Sequence, residues 1–501
     1  MQASIKTVSF LGVSAVEIDV QIQIINGLPA FTIVGLPDKA VAESRERIRA
    51  TLFSMGISLP SKRITVNLAP ADVQKEGSHY DLPIALALLS AMNIIDQEDI
   101  CNTLALGELS LNGCITRVPG ILPAAILAKS QEMSMICPED CAQEAAWVAE
   151  GSIIAPKTLL CIINHFKGTQ ILQNVVNKPL EFSDSIGSYG CFSDVKGQTV
   201  AKRALEVAAS GGHNVIMLGP PGVGKSLLSS KLPGILPQFT PEEALEATMI
   251  HSMAGQVGES GLVTERPYRA PHHSASLVAL VGGGTHARPG EISLAHRGIL
   301  FLDEFAEFSR AALESLRQPL ETGNINIARA NTHVTYPARI QLIAAMNPCK
   351  CGYLGIPGKE CSLAPKCGND YMKKISGPLL DRMDIFIDVP EVTLPDFIQS
   401  KEDMETSECI KKRVSAARAI QEERYKDASA KTNAEISGQE LEKYLTESAK
   451  QLLYTCIDKA KISARGYYRV VKLSMTIADM QESCNISKEH VSEAFSYRRI
   501  I

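Results

Sequence analysis

The sequence predicts an α/β protein in three parts, with a parallel β-sheet at its centre. Between residues 191 and 392, apolar strand-like runs alternate with helical segments, a pattern typical of a parallel sheet layered with helices. Residues 1–167 mix short alternating strands with helices and predict an α+β domain. After Pro395 no comparable strand pattern remains, so residues 393–501 predict a small helical domain.

The N-terminal and linking segments carry local signals of their own. Arg63–Leu68 alternates polar and apolar residues, which is typical of a half-buried strand. Asp81–Met92 predicts a buried helix, because Asp81 can cap it, Pro83 suits its first turn, and a dense run of Ile, Leu and Ala follows. Residues 168–190 are rich in Asn, Ser and Gly and predict a linker.

Continuous apolar runs predict the buried strands of the central sheet. The clearest are Val215–Leu218, Ile299–Leu302 and Ile340–Ala345. Strands that are apolar on both faces belong in a sheet that helices cover on both sides. Glu408–Tyr425 and Glu447–Ile462 predict amphipathic helices of the C-terminal domain.

Composition and charge exclude several classes of protein. The chain has 501 residues, 45% of them hydrophobic, and its net charge of −5 argues against a uniformly basic nucleic-acid coat protein. The N-terminus shows no signal peptide, and no apolar run approaches the roughly 20 residues of a membrane span. Thirteen cysteines in such a chain predict reduced thiols or metal ligands rather than disulfides. We therefore expect a cytoplasmic protein without a membrane partner.

A glycine-rich motif directly follows the first buried strand and opens the helical run Leu227–Leu232. Its residues are Gly219, Pro220, Pro221, Gly222, Val223, Gly224, Lys225 and Ser226. In this context the glycines let backbone N–H groups surround phosphate oxygens, and the helix N-terminus adds its dipole. Lys225 is expected to contact the β- and γ-phosphates, and Ser226 to hold Mg²⁺. The motif thus predicts a P-loop that binds ATP with Mg²⁺.

An acidic pair closes the second buried strand, about 80 residues after the P-loop. Asp303 stands where it can accept a hydrogen bond from a Mg²⁺-bound water, and Glu304 where it can polarise the water that attacks the γ-phosphate. The pair completes the prediction of an ATPase.

Through these motifs and several longer stretches, the chain resembles the ComM/YifB family of magnesium-chelatase-like AAA+ ATPases over essentially its whole length. The stretches are Val34–Asp38, Ile64–Asp72, Lys75–Ser78, Asp194–Gln198, Arg269–His273, Arg288–Glu291 and Ser376–Arg382. The resemblance implies a ribosomal-S5-like N-terminal domain of the kind found in Lon-type proteases, an AAA+ core and a C-terminal helical lid. It also implies a role in competence and in DNA branch migration.

The resemblance assigns further residues to the site. Asn347, just after the third buried strand, matches the sensor asparagine that orients the attacking water. Arg382 matches the arginine finger, which enters a neighbouring subunit's site and offsets transition-state charge. Arg465 matches the sensor arginine of the lid, and Arg469 competes for that role. A finger that acts in trans requires an oligomer, and the family implies a ring of six identical subunits.

Four cysteines lie close together in the segment 349–367, which is rich in Gly and Pro: Cys349, Cys351, Cys361 and Cys367. Four thiolates can bind one structural Zn²⁺ tetrahedrally and leave no open position for catalysis. In the family a C-x-C pair is followed by a second closely spaced pair. Here five residues separate the last two cysteines, so unliganded thiols remain the alternative to zinc.

The resemblance to Lon-type proteases raises the possibility of an ATP-dependent protease. The position of the catalytic serine falls on His79, with Ser78 one residue away. The position of the catalytic lysine holds Ala124, and Lys129 lies five residues further on. Because a Ser–Lys dyad needs the lysine as its general base, the sequence predicts an N-terminal domain without protease activity.

Contacts with DNA are predicted only indirectly. Ile327–Thr335, which contains Arg329, Asn331 and His333, stands where related ring motors project a hairpin into the pore. The preceding span, residues 236–296, is rich in His, Arg and Gly and suits a pore that follows a phosphate backbone. Within that span, His272 and His273 suggest polar loop structure or phosphate contact rather than a metal site.

The leading hypothesis is a hexameric, ATP-driven helicase or translocase that binds single-stranded, forked or branched DNA and promotes branch migration during natural transformation. The alternative is an AAA+ motor that remodels a protein or a metal-chelatase-type partner.

Overall fold

The computed structural model describes the chain except for residues 150, 177–188, 285–286, 329–332, 357, 360–361, 394–404, 429, 461–462 and 499–501. Arg329, Asn331 and Cys361, which figure in the sequence predictions, lie outside the described residues. The domain limits of 1–167, 191–392 and 393–501 remain predictions.

The N-terminal part is a mixed sheet with helices packed against it. Its strands are β1 (Gln2–Leu11), β2 (Ser14–Ile25), β3 (Ala30–Val34), β4 (Arg63–Ala69), β5 (Thr103–Ala105), β6 (Glu108–Leu109), β7 (Ile115–Thr116), β8 (Ser134–Ile136) and β9 (Ile153–Ile154). Its helices are α1 (Lys39–Ser54), α2 (Asp81–Ala91), α3 (Gln97–Ile100), α4 (Ile121–Ser130), α5 (Ala142–Ala146) and α6 (Leu159–Phe166). The main sheet has the order β3-β4-β2-β1-β5-β8-β9, and β6 and β7 form a separate hairpin. The kinship of this part to the S5 fold remains a prediction.

Helix α2 is buried along its whole length, as its apolar composition predicts. The expectation that Asp81 caps this helix is wrong, because the N-cap residue is Tyr80 and its side chain makes no capping hydrogen bond. The Asp81 carboxylate instead accepts hydrogen bonds of 2.6 and 2.9 Å from Arg47 and one of 3.1 Å from the Leu109 N–H. A buried carboxylate needs such a charged partner, and this requirement outweighs capping.

The central part is a five-stranded, wholly parallel sheet with the order β11-β14-β17-β10-β18. The strands of this part are β10 (Val215–Leu218), β11 (Tyr268–Arg269), β12 (Gly282–Gly283), β13 (Arg288–Pro289), β14 (Ile299–Leu302), β15 (Asn324–Ala328), β16 (His333–Pro337), β17 (Gln341–Met346) and β18 (Ile385–Asp388). The three predicted strands are confirmed, with β17 shifted by one residue. The edge strands β11 and β18 were not predicted.

Helices cover both faces of this sheet. They are α7 (Thr199–Gly211), α8 (Lys225–Lys231), α9 (Pro241–Met253), α10 (Leu277–Val281), α11 (Glu291–Leu294), α12 (Arg310–Ser315), α13 (Arg317–Thr322), α14 (Lys366–Met372) and α15 (Gly377–Leu380). Along β10, Val215 and Met217 pack into the core on the α7 side, whereas Ile216 and Leu218 pack into the core on the opposite side. Burial on both faces explains why the strand is continuously apolar.

The C-terminal part is helical in the residues that the structure describes. Its helices are α16 (Ser407–Arg424), α17 (Gly438–Leu441), α18 (Glu447–Ala460), α19 (Ala464–Met480) and α20 (Lys488–Ser496). The two predicted amphipathic helices correspond to α16 and α18. Val414 of α16 and Val470 of α19 share one hydrophobic core with α7 and the central sheet. These helices are therefore fixed to one face of the sheet rather than forming a separate core. No helix in the described part of the chain is long and apolar enough to cross a membrane.

The N-terminal domain docks directly on the central part. The Ser252 carbonyl at the end of α9 accepts a 3.0 Å hydrogen bond from the Gly120 N–H, and the Trp147 indole donates to the Ser260 carbonyl at 3.3 Å. The β1–β2 turn contacts the β15–β16 hairpin, since a Cβ at Gly12 would meet Val334 at 2.7 Å. The two parts thus touch at α9 and at the hairpin.

Replacing Asp81 with Asn should lower the free energy of unfolding of the N-terminal domain by roughly 3 kcal/mol, because the buried ion pair with Arg47 loses one charge. Hydrogen exchange of the α2 amides measures the change. The matched control is Asp99→Asn, which removes an exposed carboxylate. Equal protection of the α2 amides from hydrogen exchange in the two variants would contradict this account of the ion pair.

Candidate functional site

The P-loop lies between β10 and α8, at the edge of the sheet where the parallel strands end. Gly222 and Gly224 have φ angles of +82° and +92°, a backbone region that favours glycine. A Cβ at either position would meet nothing within 4 Å, so open space adjoins the loop. The predicted motif is thus a loop whose backbone a phosphate can approach closely.

Lys225 is buried at the start of α8, and its ammonium is held by oxygen atoms of the loop and of the sensor position. Nζ donates to the carbonyls of Gly219 and Pro220 at 2.6 and 2.8 Å and to Asn347 Oδ1 at 3.2 Å. Burial lowers the pKa of Lys225, and the charge of Asp303 opposes that effect only in part. A phosphate anion beside Nζ would restore the lost stabilisation of the charged form. The structure therefore brings the predicted Lys225 and Asn347 together.

Ser226 and the acidic pair meet at the same edge. Ser226 Oγ donates to Asp303 Oδ2 at 2.6 Å, and Asp303 Oδ1 accepts the Glu304 N–H at 2.8 Å. A hydroxyl and a carboxylate are hard oxygen ligands of the type that Mg²⁺ prefers. The two residues therefore fit the predicted magnesium site, and Glu304 stands next to it.

His273 contacts the acidic pair, whereas the sequence analysis assigned it only to polar loop structure or phosphate contact. Its Nδ1 lies 3.0 Å from Oε2 of Glu304. The backbone of Glu304 has a left-handed conformation, with a φ of +51°. His273 follows β11, which pairs with β14, so both side chains emerge at neighbouring strand ends. Identifying the two-residue strand β11 would have revealed the pair. The adjacent His272 hydrogen-bonds Ser274 instead, at 2.8 Å.

The predicted arginine finger lies at the opposite edge of the sheet, where the parallel strands begin. Arg382 comes just before β18, whereas Lys225 comes after β10, and these two neighbouring strands run parallel with Val215 opposite Ile385. Four residues of β-strand span about 13 Å, so the two residues are separated by at least the length of a strand. In this fold Arg382 does not reach the P-loop of its own subunit.

Both candidate lid arginines lie near Arg382. Arg469 of α19 forms an ion pair with Asp384 and donates a 3.2 Å hydrogen bond to the Arg382 carbonyl. Burial raises the pKa of Asp384, but Arg469 and His213 lower it further, so it lies well below the usual range. Arg465 is exposed and contributes to lowering the pKa of Glu321, the acid that pairs with Arg382. Arg469 thus contacts Arg382 directly, whereas Arg465 acts by its charge on the carboxyl that pairs with Arg382, and neither relation decides which of the two is the lid sensor.

The cysteine segment packs beside the P-loop, since a Cβ at Gly352 would lie 2.8 Å from Pro221. The Sγ atoms of Cys349 and Cys351 are 2.9 Å apart, and Cys367 lies in α14. Cys361 falls outside the described residues, and within them no group of three or more His, Cys, Asp or Glu side chains is arranged to hold a metal. The four-cysteine zinc site therefore gains no support and stays a prediction.

The N-terminal positions that match the protease dyad are occupied by structural side chains. Buried His79 places Nε2 at 2.8 Å from the Val8 carbonyl, and burial lowers its pKa to about 4. The Ser78 hydroxyl donates to the Glu108 carboxylate. Ala124, at the lysine position, is buried in α4. These residues do not form a Ser–Lys dyad.

A hairpin is present where the sequence analysis expected one. Strands β15 and β16 pair antiparallel, with Ala328 opposite His333. The tip of the hairpin lies outside the described residues. The Tyr336 hydroxyl donates to the Ala287 carbonyl at 2.8 Å, which ties this hairpin to the β12–β13 pair.

Three family models match consecutive parts of the chain. Residues 20–141 match subunit ChlI of Mg-chelatase, residues 191–397 match magnesium chelatase subunit ChlI, and residues 404–498 match its C-terminal part.

Similar proteins cover nearly the whole chain. Competence protein ComM of Haemophilus influenzae is 40% identical over 495 residues, which is 98% of this chain and 96% of that protein. YifB of Escherichia coli is also 40% identical, over 99% of this chain and 97% of its own length. DNA replication licensing factor Mcm6 of Drosophila pseudoobscura pseudoobscura is 25% identical over 304 residues, which is 59% of this chain and 34% of that protein.

Replacing His273 with Ala should lower kcat for ATP hydrolysis about tenfold and leave KM nearly unchanged, because Glu304 loses a charge-assisted partner that fixes its orientation. Steady-state ATPase kinetics measure both constants. His272→Ala removes an imidazole that lies against that of His273, with ring centroids 4.0 Å apart, but that bonds Ser274 rather than Glu304, so it should lower kcat much less. Equal effects of the two substitutions would contradict the orienting role of His273.

Proposed function

We propose a function from the premise that this chain belongs to the ComM/YifB family of magnesium-chelatase-like AAA+ proteins. It is an ATP-driven DNA motor that works as a ring of six identical subunits. The observation that carries the proposal is the division of the predicted catalytic groups between two edges of one sheet. Lys225, Asp303 and Glu304 stand at one edge and Arg382 at the other. Such a division suits a site completed by a neighbouring subunit.

Within one subunit, the P-loop and Lys225 would bind the phosphates of ATP, and Ser226 and Asp303 would hold Mg²⁺. A bound Mg²⁺ supplies positive charge that offsets the charge developing on the phosphates. Glu304 would polarise the attacking water, while Asn347, which already contacts Lys225, would orient it. Each of these side chains stands at the carboxyl edge of the sheet or in the loop that follows it.

The neighbouring subunit would supply the remaining positive charge. Arg382 would approach the γ-phosphate as the arginine finger, and either Arg465 or Arg469 would act as the lid sensor. Because both lid candidates lie with Arg382, we infer that the lid arginine also serves the neighbour's nucleotide. A ring of identical head-to-tail contacts provides every subunit with such a neighbour.

DNA as the substrate is supported by the printed names of two similar proteins and by the hairpin. One relative is a competence protein and another is a DNA replication licensing factor. The β15–β16 hairpin precedes the sensor strand β17, at the position where the resemblance places a pore element. We infer that the motor promotes branch migration while incoming DNA is integrated during natural transformation.

A second candidate is a motor that remodels a protein or a metal-chelatase-type partner. The match of most of the chain to chelatase subunit models favours this alternative. It differs from the DNA motor in what should stimulate hydrolysis, since a remodelling motor responds to its protein partner. The protease alternative is not proposed, because its dyad positions hold His79 and Ala124.

DNA should stimulate ATP turnover severalfold, with branched or forked DNA at least as effective as single strands. Steady-state hydrolysis by the full chain, measured without DNA and with each DNA form, provides the test. Lys225→Ala should abolish nucleotide binding, and Glu304→Gln should bind ATP but hydrolyse it slowly. Turnover that remains in preparations of these two variants therefore measures any contaminating ATPase. Turnover that no form of DNA changes would contradict the DNA motor and favour the remodelling alternative.

A further inference from the structure

Arg382 is buried in the described subunit although a trans-acting finger must reach a neighbour. Its side chain is 8% exposed, whereas the side chain of its ion-pair partner Glu321 is 58% exposed. The carboxylate therefore lies at the surface and the guanidinium beneath it. As long as this pair persists, the guanidinium is bound within its own subunit.

Another part of the guanidinium, the Nε–H donor, is left without an acceptor among the described residues. Arg382 NH1 donates to the Pro378 carbonyl at 2.7 Å. Its Nε is buried and has no hydrogen-bond partner among the residues that the structure describes. A buried donor without an acceptor costs free energy, so the present arrangement does not satisfy the guanidinium fully. If the pair with Glu321 opens and the guanidinium turns outward, a phosphate oxygen supplied by a neighbour would provide an acceptor.

Glu321 carries its negative charge where several arginines converge. The pKa of Glu321 is lowered, first by its hydrogen bond with Arg382 and further by the charges of Arg465 and Arg317. The carboxylate thus stays ionised around neutral pH. It offsets positive charge on the face that we assign to the neighbour's nucleotide.

The position of Glu321 in the chain links this pair to the hairpin. Glu321 is the penultimate residue of α13, and only Thr322 and Gly323 separate it from β15. Gly323 has a φ of +69°, and its carbonyl accepts a 2.7 Å hydrogen bond from Ala338, just beyond β16. Both strands of the hairpin are therefore anchored within a few residues of Glu321, so we expect a shift of the hairpin to displace the carboxylate.

We propose that Glu321 is a positioning residue that holds Arg382 within its own subunit and releases it when the β15–β16 hairpin moves on its DNA. This inference rests on the proposed function, because it assumes that Arg382 acts on a neighbour's ATP. The triphosphate of the neighbour competes with the Glu321 carboxylate for the same guanidinium. Movement of the hairpin weakens the Glu321 pair, so DNA in the pore favours the trans contact.

The test is Glu321→Gln in the full chain, since this substitution keeps the size of the side chain and removes its charge. We expect kcat without DNA to rise about fivefold with KM within about twofold, because Arg382 is no longer held by an ion pair. Stimulation by DNA should shrink by a similar factor. Glu408→Gln removes a carboxylate that pairs with Lys412 at 3.1 Å on α16 and should change neither quantity.

Two further variants separate the possible failures. The double variant Glu321→Gln with Arg382→Ala should be as slow as Arg382→Ala alone, since the gain depends on the finger. Glu321→Asp keeps the charge on a shorter side chain and should give an intermediate rise. One outcome is that Arg382→Ala is inactive but Glu321→Gln shows unchanged or lower turnover without DNA. This result would overturn the role of Glu321 and leave the finger role of Arg382 intact. Full turnover by Arg382→Ala would instead remove the finger, and the role of Glu321 with it.

Discussion

Parallel pairing of β10 with β17 and β18 is the constraint on which the rest of the site depends. In a parallel sheet all strands end at one edge, so residues that follow different strands meet there although the chain separates them widely. Lys225, Asp303 and Asn347 come together in this way. The same geometry places residues that precede a strand, such as Arg382, at the other edge. One sheet thus separates the groups that we propose bind ATP from the arginine that we propose offsets its transition-state charge.

The C-terminal helices strengthen this separation. Because α16 and α19 share a core with α7 and one face of the sheet, a movement of these helices over the P-loop would expose buried apolar side chains. Arg469 is further fixed by the buried Asp384, whose lowered pKa reflects a strong ionic contact. Removing one partner of such a pair leaves an uncompensated buried charge, which costs several kcal/mol. Arg469, one of the two candidate lid arginines, is therefore held beside Arg382.

Local signals were enough to predict much of the fold and to bring out the candidate nucleotide site. The P-loop, the acidic pair and their strands are contiguous in sequence, so an apolar run followed by a motif identifies each of them. Long-range partners leave no such signal. Asp81 pairs with Arg47 instead of capping its own helix, and His273 meets Glu304 only because the two-residue strand β11 pairs with β14. The edge on which the lid arginines lie likewise depends on packing that no single segment encodes.

The central claim is that each ATP is held by one subunit and cleaved with the arginine of another. Mixing Arg382→Ala subunits with Lys225→Ala subunits tests this claim most directly, by ATP turnover after the subunits have exchanged. Each variant alone should be nearly inactive. An equal mixture should regain turnover at roughly a quarter of its interfaces, where an intact P-loop meets an intact Arg382. No recovery in a mixture shown to contain both subunits would contradict the shared site.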